Sequence, residues 1–421
     1  MKKFICALLA SVVLFACALG GCGLFSRNGR DGIDGQDLNI YDIYEKTNEE
    51  RKKAGLEQLD FFEFLKEYLH YDFEYSEDDM QAVINRSLLS SVNIYTRFNH
   101  FSSDYYAGSG VIVDINKSAG DAYIVTNAHV VLDVSATAKT PIEIIVYLYG
   151  NEFTDMELEN VKLVSYSISY DIALLKVTGS NILKNSDARA AVFAESENVY
   201  VGEKVYTVGN PGGMGLSATT GIISKESELI AVDFAEDTGA ENVYRVMRTD
   251  AASNGGNSGG ALYDSSGRIV GIVNAKDADP YNENIGYALC GSYVKRLWKL
   301  MKDSYTGSVK SGVRCAVFPA QYTYTSKAYF DNQTNRTEIR DDITVFLSYG
   351  NLKTGDKIKH IKIFYGSGDD ETVVEDIDIT RYYNLDDVML SARNGYKITY
   401  TVERGGETVK VTADPVFENF V

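Results

Sequence analysis

Between residues 85 and 290 the chain alternates short apolar runs with glycine and polar residues. Examples are the runs at 111–113, 123–125, 144–148, 172–175 and 269–273. Many short strands at this spacing predict an all-β sandwich or barrel. A helical rhythm appears only at the flanks. Ile40, Ile43 and Tyr44 start one amphipathic stretch, and Phe61, Phe62, Leu65, Tyr68 and Leu69 make another. A helix is predicted over 292–301, where Val294, Leu297, Trp298 and Met301 recur at helical spacing. After a Ser- and Gly-rich stretch at 303–312, the remainder to Val421 mixes strands with one predicted helix over 385–393.

The first 22 residues follow neither rhythm. Lys2 and Lys3 precede an apolar run from Phe4 to Leu19, and Gly20 and Gly21 then meet Cys22. A basic start, an apolar stretch and small residues read as a secretory signal. The run falls short of the roughly 20 residues that span a bilayer. The quartet Leu19-Gly20-Gly21-Cys22 resembles a bacterial lipobox, which implies a lipidated Cys22 and attachment to the cell membrane. Leu14-Phe15-Ala16-Cys17 is a weaker match, and an ordinary signal peptide or uncleaved anchor is the bland alternative. Residues 23–39 form a tether with Gly29, Gly32 and Gly35 in a collagen-like register; three triplets without proline cannot sustain a triple helix. Residues 40–84 are expected to be a helical spacer.

Composition narrows the partners. With 59 Asp+Glu against 41 Lys+Arg the net charge is −18, which disfavours nucleic acid as a partner. Thirty Tyr against one Trp and five Pro suit a β-rich chain. Three of the five cysteines precede residue 23, leaving Cys290 and Cys315 as one disulfide or two buried thiols. With four His and no metal-ligand spacing, neither a metal nor another cofactor is expected.

Three segments carry chemistry in combination. Gly255-Gly256-Asn257-Ser258-Gly259-Gly260 offers a hydroxyl in a loop whose glycines let successive N–H groups converge. His129 follows the apolar run at 123–125, and Asp171 opens the run at 172–175. Each alone has a bland reading: a glycine turn, a core histidine, a turn aspartate. Together they supply the nucleophile, base and orienting carboxylate of serine acyl transfer, with Gly256 and Ser258 N–H groups as the oxyanion hole. The order His, Asp, Ser is that of chymotrypsin.

With those residues in view, the segment from about 90 to 300 resembles the HtrA (DegP-like) branch of trypsin-like serine proteases. Gly108-Ser109-Gly110-Val111-Ile112, Val208-Gly209-Asn210-Pro211, Thr220-Gly221-Ile222-Ile223-Ser224, Thr249-Asp250-Ala251-Ala252 and Asn284-Ile285-Gly286-Tyr287-Ala288 carry the likeness. It implies a mainly β protein in which residues 85–302 form two six-stranded antiparallel, chymotrypsin-like β-barrels. It also implies a serine endopeptidase acting on unfolded or exposed extracytoplasmic polypeptides, and a homotrimer. The family usually has proline where Gly255 and Ala261 stand, so the oxyanion loop is expected to be freer here. Ala252, Val273, Asn274 and Ala275 are expected to line a pocket for small or medium apolar side chains. Residues 313–421, behind a linker at 303–312, resemble a PDZ domain. Leu352-Lys353-Thr354-Gly355-Asp356-Lys357-Ile358, the predicted helix and the hairpin around Gly405-Gly406 carry that likeness, which implies a smaller α+β domain capable of adding a peptide strand. The carboxylate-binding loop has no clear counterpart at 313–345. The alternative function is a proteolytically quiet, polypeptide-binding or chaperone-like module of the same fold; a surface adhesin leaves the triad unexplained.

Overall fold

The computed structural model describes residues 40–53, 64, 80–99, 104–133, 140–151, 154, 156–195, 197–233, 241–276 and 284–420. Cys22, the apolar run before it and the glycine triplets lie outside the described residues. The chain divides into two compact units, Met1–Glu74 and Tyr75–Val421. In the first, helix α1 (Ile40–Lys53) ends on Arg51, Lys52 and Lys53, a charge that suits a helix C-terminus. Tyr44 meets Phe64 edge to face at 5.5 Å. No helix among the described residues is long and apolar enough to cross a membrane.

The second unit starts with helix α2 (Met80–Leu88) and strands β1 (Ser91–Arg97), β2 (Tyr106–Asn116) and β3 (Asp121–Thr126). A one-turn helix α3 (Ala128–Val131), β4 (Glu143–Leu148), β5 (Lys162–Ser167), β6 (Ile172–Val177) and a short α4 (Asn181–Lys184) follow. Strands β1 to β6 form an antiparallel sheet in the order β5-β6-β3-β2-β1-β4. A seventh, two-residue strand, β13 (Lys310–Ser311), joins its edge parallel to β5, so this half carries one strand more than expected.

The next six strands are β7 (Lys204–Gly209), β8 (Ser217–Asp233), β9 (Glu241–Thr249), β10 (Ala261–Asp264), β11 (Ile269–Lys276) and β12 (Gly286–Cys290). They close into a barrel in the order β10-β11-β12-β9-β8-β7. The molecule is therefore mainly β, as its apolar pattern predicts. Strand β6 explains why one such run is unbroken. Ile172 and Leu174 pack into the core shared with the closed barrel, while Ala173, Leu175 and Val177 fill the core of the first sheet. A strand buried on both faces has no polar side to alternate with.

Helix α5 (Gly291–Ser304) buries Val294, Leu297, Trp298 and Met301 and extends the predicted helix by a turn. It leads through β13 into β14 (Val313–Val317), β15 (Gln321–Asp331), β16 (Arg336–Leu347), β17 (Lys357–Tyr365) and β18 (Thr372–Asp378). Helix α6 (Asn384–Met389), shorter than expected, precedes β19 (Lys397–Arg404), β20 (Glu407–Ala413) and β21 (Val416–Phe420). The sheet runs β15-β16-β17-β19-β20, with β18 also on β17, while β14 and β21 pair separately. This part has its own core, including Ile358, Ile361, Leu385, Val388 and Tyr400.

Buried ion pairs join it to the closed barrel. Arg245 on β9 and the Ser292 hydroxyl both donate to the Asp387 carboxylate. Arg296 donates to Glu197 at 2.7 and 2.8 Å and to Glu375 at 2.8 and 2.9 Å. Such pairs add little net stability, but removing one member leaves a buried charge without its partner.

Candidate active site

His129 sits on α3, directly after β3, and Asp171 sits at the turn leading into β6. Because β3 and β6 are neighbours, with Thr126 opposite Ala173, the sheet itself brings the two together. Asp171 is fully buried and adopts φ +47°, a left-handed conformation that aspartate tolerates better than most residues. Its Oδ1 accepts the His129 backbone N–H at 3.0 Å, and its Oδ2 accepts from Nδ1 at 2.8 Å. Asn127 Nδ2 ties down the Asp171 carbonyl oxygen at 2.9 Å. Burial opposes the imidazolium, but the Asp171 charge and hydrogen bond outweigh it, so the His129 pKa is raised above the ordinary histidine value.

Ser258 comes from the loop before β10, and its hydroxyl donates to the carbonyl oxygen of Asn274 at 3.1 Å. Glycine is required on both sides of the residue pair Asn257-Ser258. Gly256 has φ +99°, and a Cβ there would lie 2.2 Å from the Asn210 carbonyl oxygen. Gly259 has φ +85°, and a Cβ would lie 2.2 Å from both Ser109 O and Thr126 Oγ1. No backbone partner is recorded among the described residues for the N–H groups of Gly256 and Ser258. Gly255 O accepts from Gly212 N at 2.7 Å, and in a trans peptide the next N–H, that of Gly256, points the opposite way.

Ser109, within the Gly108-Ser109-Gly110-Val111-Ile112 motif, pins this loop. Ser109 Oγ donates to Gly256 O at 2.7 Å and accepts from Asn210 N at 2.8 Å. Its backbone N donates to Ser258 O at 2.8 Å. Tyr95 Oη donates to Gly213 O at 3.0 Å, fixing the turn (Pro211–Gly213) that holds Gly255. The loop at Gly255–Ser258 is thus held by hydrogen bonds from Ser109 and Gly212. Nothing in the sequence marks Ser109 for this beyond its place between two glycines.

The expected pocket residues divide. Val273 is buried, Ala275 half-buried and Ala252 exposed, its carbonyl oxygen accepting from Thr219 Oγ1 at 2.9 Å. Asn274 departs from the expectation of a pocket wall. The β11–β12 register shifts between Val273 and Ala275, and this bulge turns the Asn274 side chain inward, where Nδ2 donates to Asp171 Oδ2. One residue therefore touches both the carboxylate and the serine hydroxyl. Cys290 and Cys315 are free and buried, and burial pushes both thiols up to about 11. No group of three or more His, Cys, Asp and Glu among the described residues could hold a metal ion.

Asn274 links the His129–Asp171 pair of one half to Ser258 of the other, bringing together the groups a serine peptidase uses. Residues 108–272 match the family described as the trypsin-like peptidase domain. Within that class the chain is similar to the serine protease Do-like HtrB of Bacillus subtilis, 37% identical over 189 residues, which are 44% of this chain and 36% of that protein. It is also 34% identical over 220 residues to the serine protease Do-like HtrA of the same organism, covering 52% of this chain and 43% of that one. The match thus spans less than half the length of either relative. A looser structural likeness, TM-score 0.46 at 23% identity over 80% of this chain and 97% of the other, is to the HtrA-type protease AlgW with a tripeptide. Residues 108–272 thus match a trypsin-like peptidase domain, and over that region the chain is similar to HtrA serine proteases.

Proposed function

We propose that the chain is an extracytoplasmic serine endopeptidase that cleaves unfolded or exposed polypeptides through Ser258, His129 and Asp171. The observation that carries this reading is the paired acceptance of His129 N and Nδ1 by Asp171, which leaves Nε2 as the ring nitrogen able to act as base. The Ser258 hydroxyl, which donates to Asn274 O, turns towards Nε2 by rotation about one side-chain bond. Ser258 Oγ attacks the scissile carbonyl carbon while His129 takes the proton. The oxyanion is received by the N–H groups of Gly256 and Ser258, and His129 returns the proton to the departing amine. Water then repeats the sequence on the acyl-enzyme and restores Ser258. No step uses a cofactor.

Ala252, Val273 and Ala275 carry no charge, which supports a preference for small or medium apolar side chains before the cleaved bond. We place the peptidase domain at 85–302 and a PDZ-like domain at 313–421, with lipidation at Cys22 as the membrane anchor and a trimer as the assembly. Incubation of the chain lacking residues 1–22 with unfolded casein, followed by product sequencing, tests the reading. Cleavage by the wild type and none by Ser258→Ala supports it. Binding without cleavage by the wild type would mean the quiet, chaperone-like alternative.

A further inference from the structure

The turn that carries Asp171 is gripped from outside the peptidase domain. Residues 310–317 run along it: Lys310 pairs with Ser165 and Ser311 with Tyr166 on β5, and Gly312 N donates to Tyr166 O at 2.8 Å. Cys315 on β14 is buried in the core against which Tyr170 packs. Strand β21 lies antiparallel against β14, with Val313 opposite Phe420 and Ala316 opposite Phe417. Its two phenylalanines face different cores. Phe417 packs into the core of the C-terminal part beneath the Arg314 guanidinium, 4.9 Å from its ring. Phe420 packs against the core shared by the barrels, 5.8 Å from the Tyr170 ring, and Tyr293 stands at 5.8 Å as well.

Tyr170 is bonded directly to Asp171, whose left-handed backbone persists only where its surroundings over-determine it. Part of that constraint is local: Asp171 N and Tyr244 Oη both donate to Ile168 O, at 3.1 and 2.8 Å. Asn127 and Asn274 hold the Asp171 carbonyl and carboxylate oxygens, and Phe420 of β21 packs on the ring of Tyr170 beside it. A two-stranded pair has little stability of its own, so its order depends on the surfaces it bridges. We propose that the β14–β21 pair is a positioning device for the candidate active site: through Phe420 and Cys315 it holds Tyr170, and with it Asp171, in the geometry that orients His129. Phe420 and Cys315 are positioning residues, since neither touches the reacting atoms. The proposal rests on the serine peptidase reading above. It also makes β14 an edge that accepts one particular extended segment, the β21 sequence, whether attached or supplied separately.

The test compares the wild type with Phe420→Ala and with a chain ended at Asp414, using a short peptide substrate and the NMR titration of the His129 ring. The titration is repeated in the Ser258→Ala background, so it stands even if the chain turns over nothing; absent turnover by the wild type would overturn the peptidase reading alone. Loss of the clamp is expected to lower kcat by roughly ten- to a hundredfold with little change in KM. The His129 pKa should fall with it, because a displaced Asp171 no longer raises it. A peptide of residues 415–421, added in trans to the shortened chain, should restore both readings. A merely structural strand would leave the titration of folded molecules unmoved. Folded variants with unchanged kcat and titration, or with raised activity, would overturn the proposal; if the shortened chain fails to fold, Phe420→Ala decides in its place.

Discussion

The two halves of the peptidase domain hold their candidate catalytic groups by different means. In the first sheet, His129 and Asp171 are fixed by adjacent strands, a buried carboxylate and hydrogen bonds at 2.8 and 3.0 Å. In the closed barrel, Ser258 rides a glycine-rich loop held by two bonds from Ser109, one from Gly212 and one between Gly259 N and Val273 O. The pair beside neighbouring strands is preorganised by the sheet and its hydrogen bonds; the serine loop is preorganised by a few donors from Ser109, Gly212 and its own backbone. Glycine is needed there so that two N–H groups can converge, and its conformational freedom must then be restrained from elsewhere. The contrast locates where activity is most easily lost and where it is most easily tuned.

The largest effect should come from the rigid half. Asp171→Asn keeps the shape but reverses a hydrogen-bonding group, favouring the wrong imidazole tautomer, and a fall in kcat on the order of 10⁴ is expected in steady-state assays. A fall below tenfold would mean that Asn274, not Asp171, does most to orient the site. Ser109→Ala tests the other half. It removes the donor to Gly256 O and the acceptor for Asn210 N, and should lower kcat roughly ten- to a hundredfold with KM nearly unchanged. An equal loss in KM would instead place Ser109 in substrate binding.

The pH profile is the next smaller effect. Only neutral His129 can take the serine proton, and its pKa is raised, so the rate should fall tenfold per pH unit below a midpoint lying above about 6.5. Stability runs the other way. A folded-state pKa above the unfolded value gives stabilisation that is fully present below about 6.5 and is lost as pH rises through the folded pKa. The rate–pH profile and urea melts across the same range check both signs. Smallest is Gly255→Ala. A Cβ there meets nothing within 4 Å, and the residue is not in the left-handed region. Restricting the unfolded chain should stabilise the protein by about 0.4–1 kcal/mol, measured as a shift in the urea midpoint.

Much of this architecture is legible in the residues themselves. The runs at 123–125 and 172–175 become paired strands, and His129 and Asp171 meet because those strands are neighbours. Helix α5 follows from the spacing of Val294, Leu297, Trp298 and Met301. What escapes the sequence depends on direction and distance rather than on pattern. Asn274 reads as a wall of the substrate pocket, yet a bulge turns it towards Asp171. Ser109 reads as a spacer between glycines, yet its hydroxyl bridges two loops distant in sequence. Lys310 and Ser311 lack any apolar signal, since as a parallel edge strand they contribute backbone pairing only. The β14–β21 pair joins segments about a hundred residues apart, a contact no local periodicity records.

The central claim is that Ser258 is the activated nucleophile. It is tested most directly by treating the folded protein with a fluorophosphonate and locating the adduct by mass spectrometry, beside Ser258→Ala. A single adduct on Ser258, formed faster as pH rises through the His129 midpoint and absent from the variant, is the predicted result. A folded wild type that stays unlabelled with unfolded polypeptide present, or that is labelled on another residue, would contradict it.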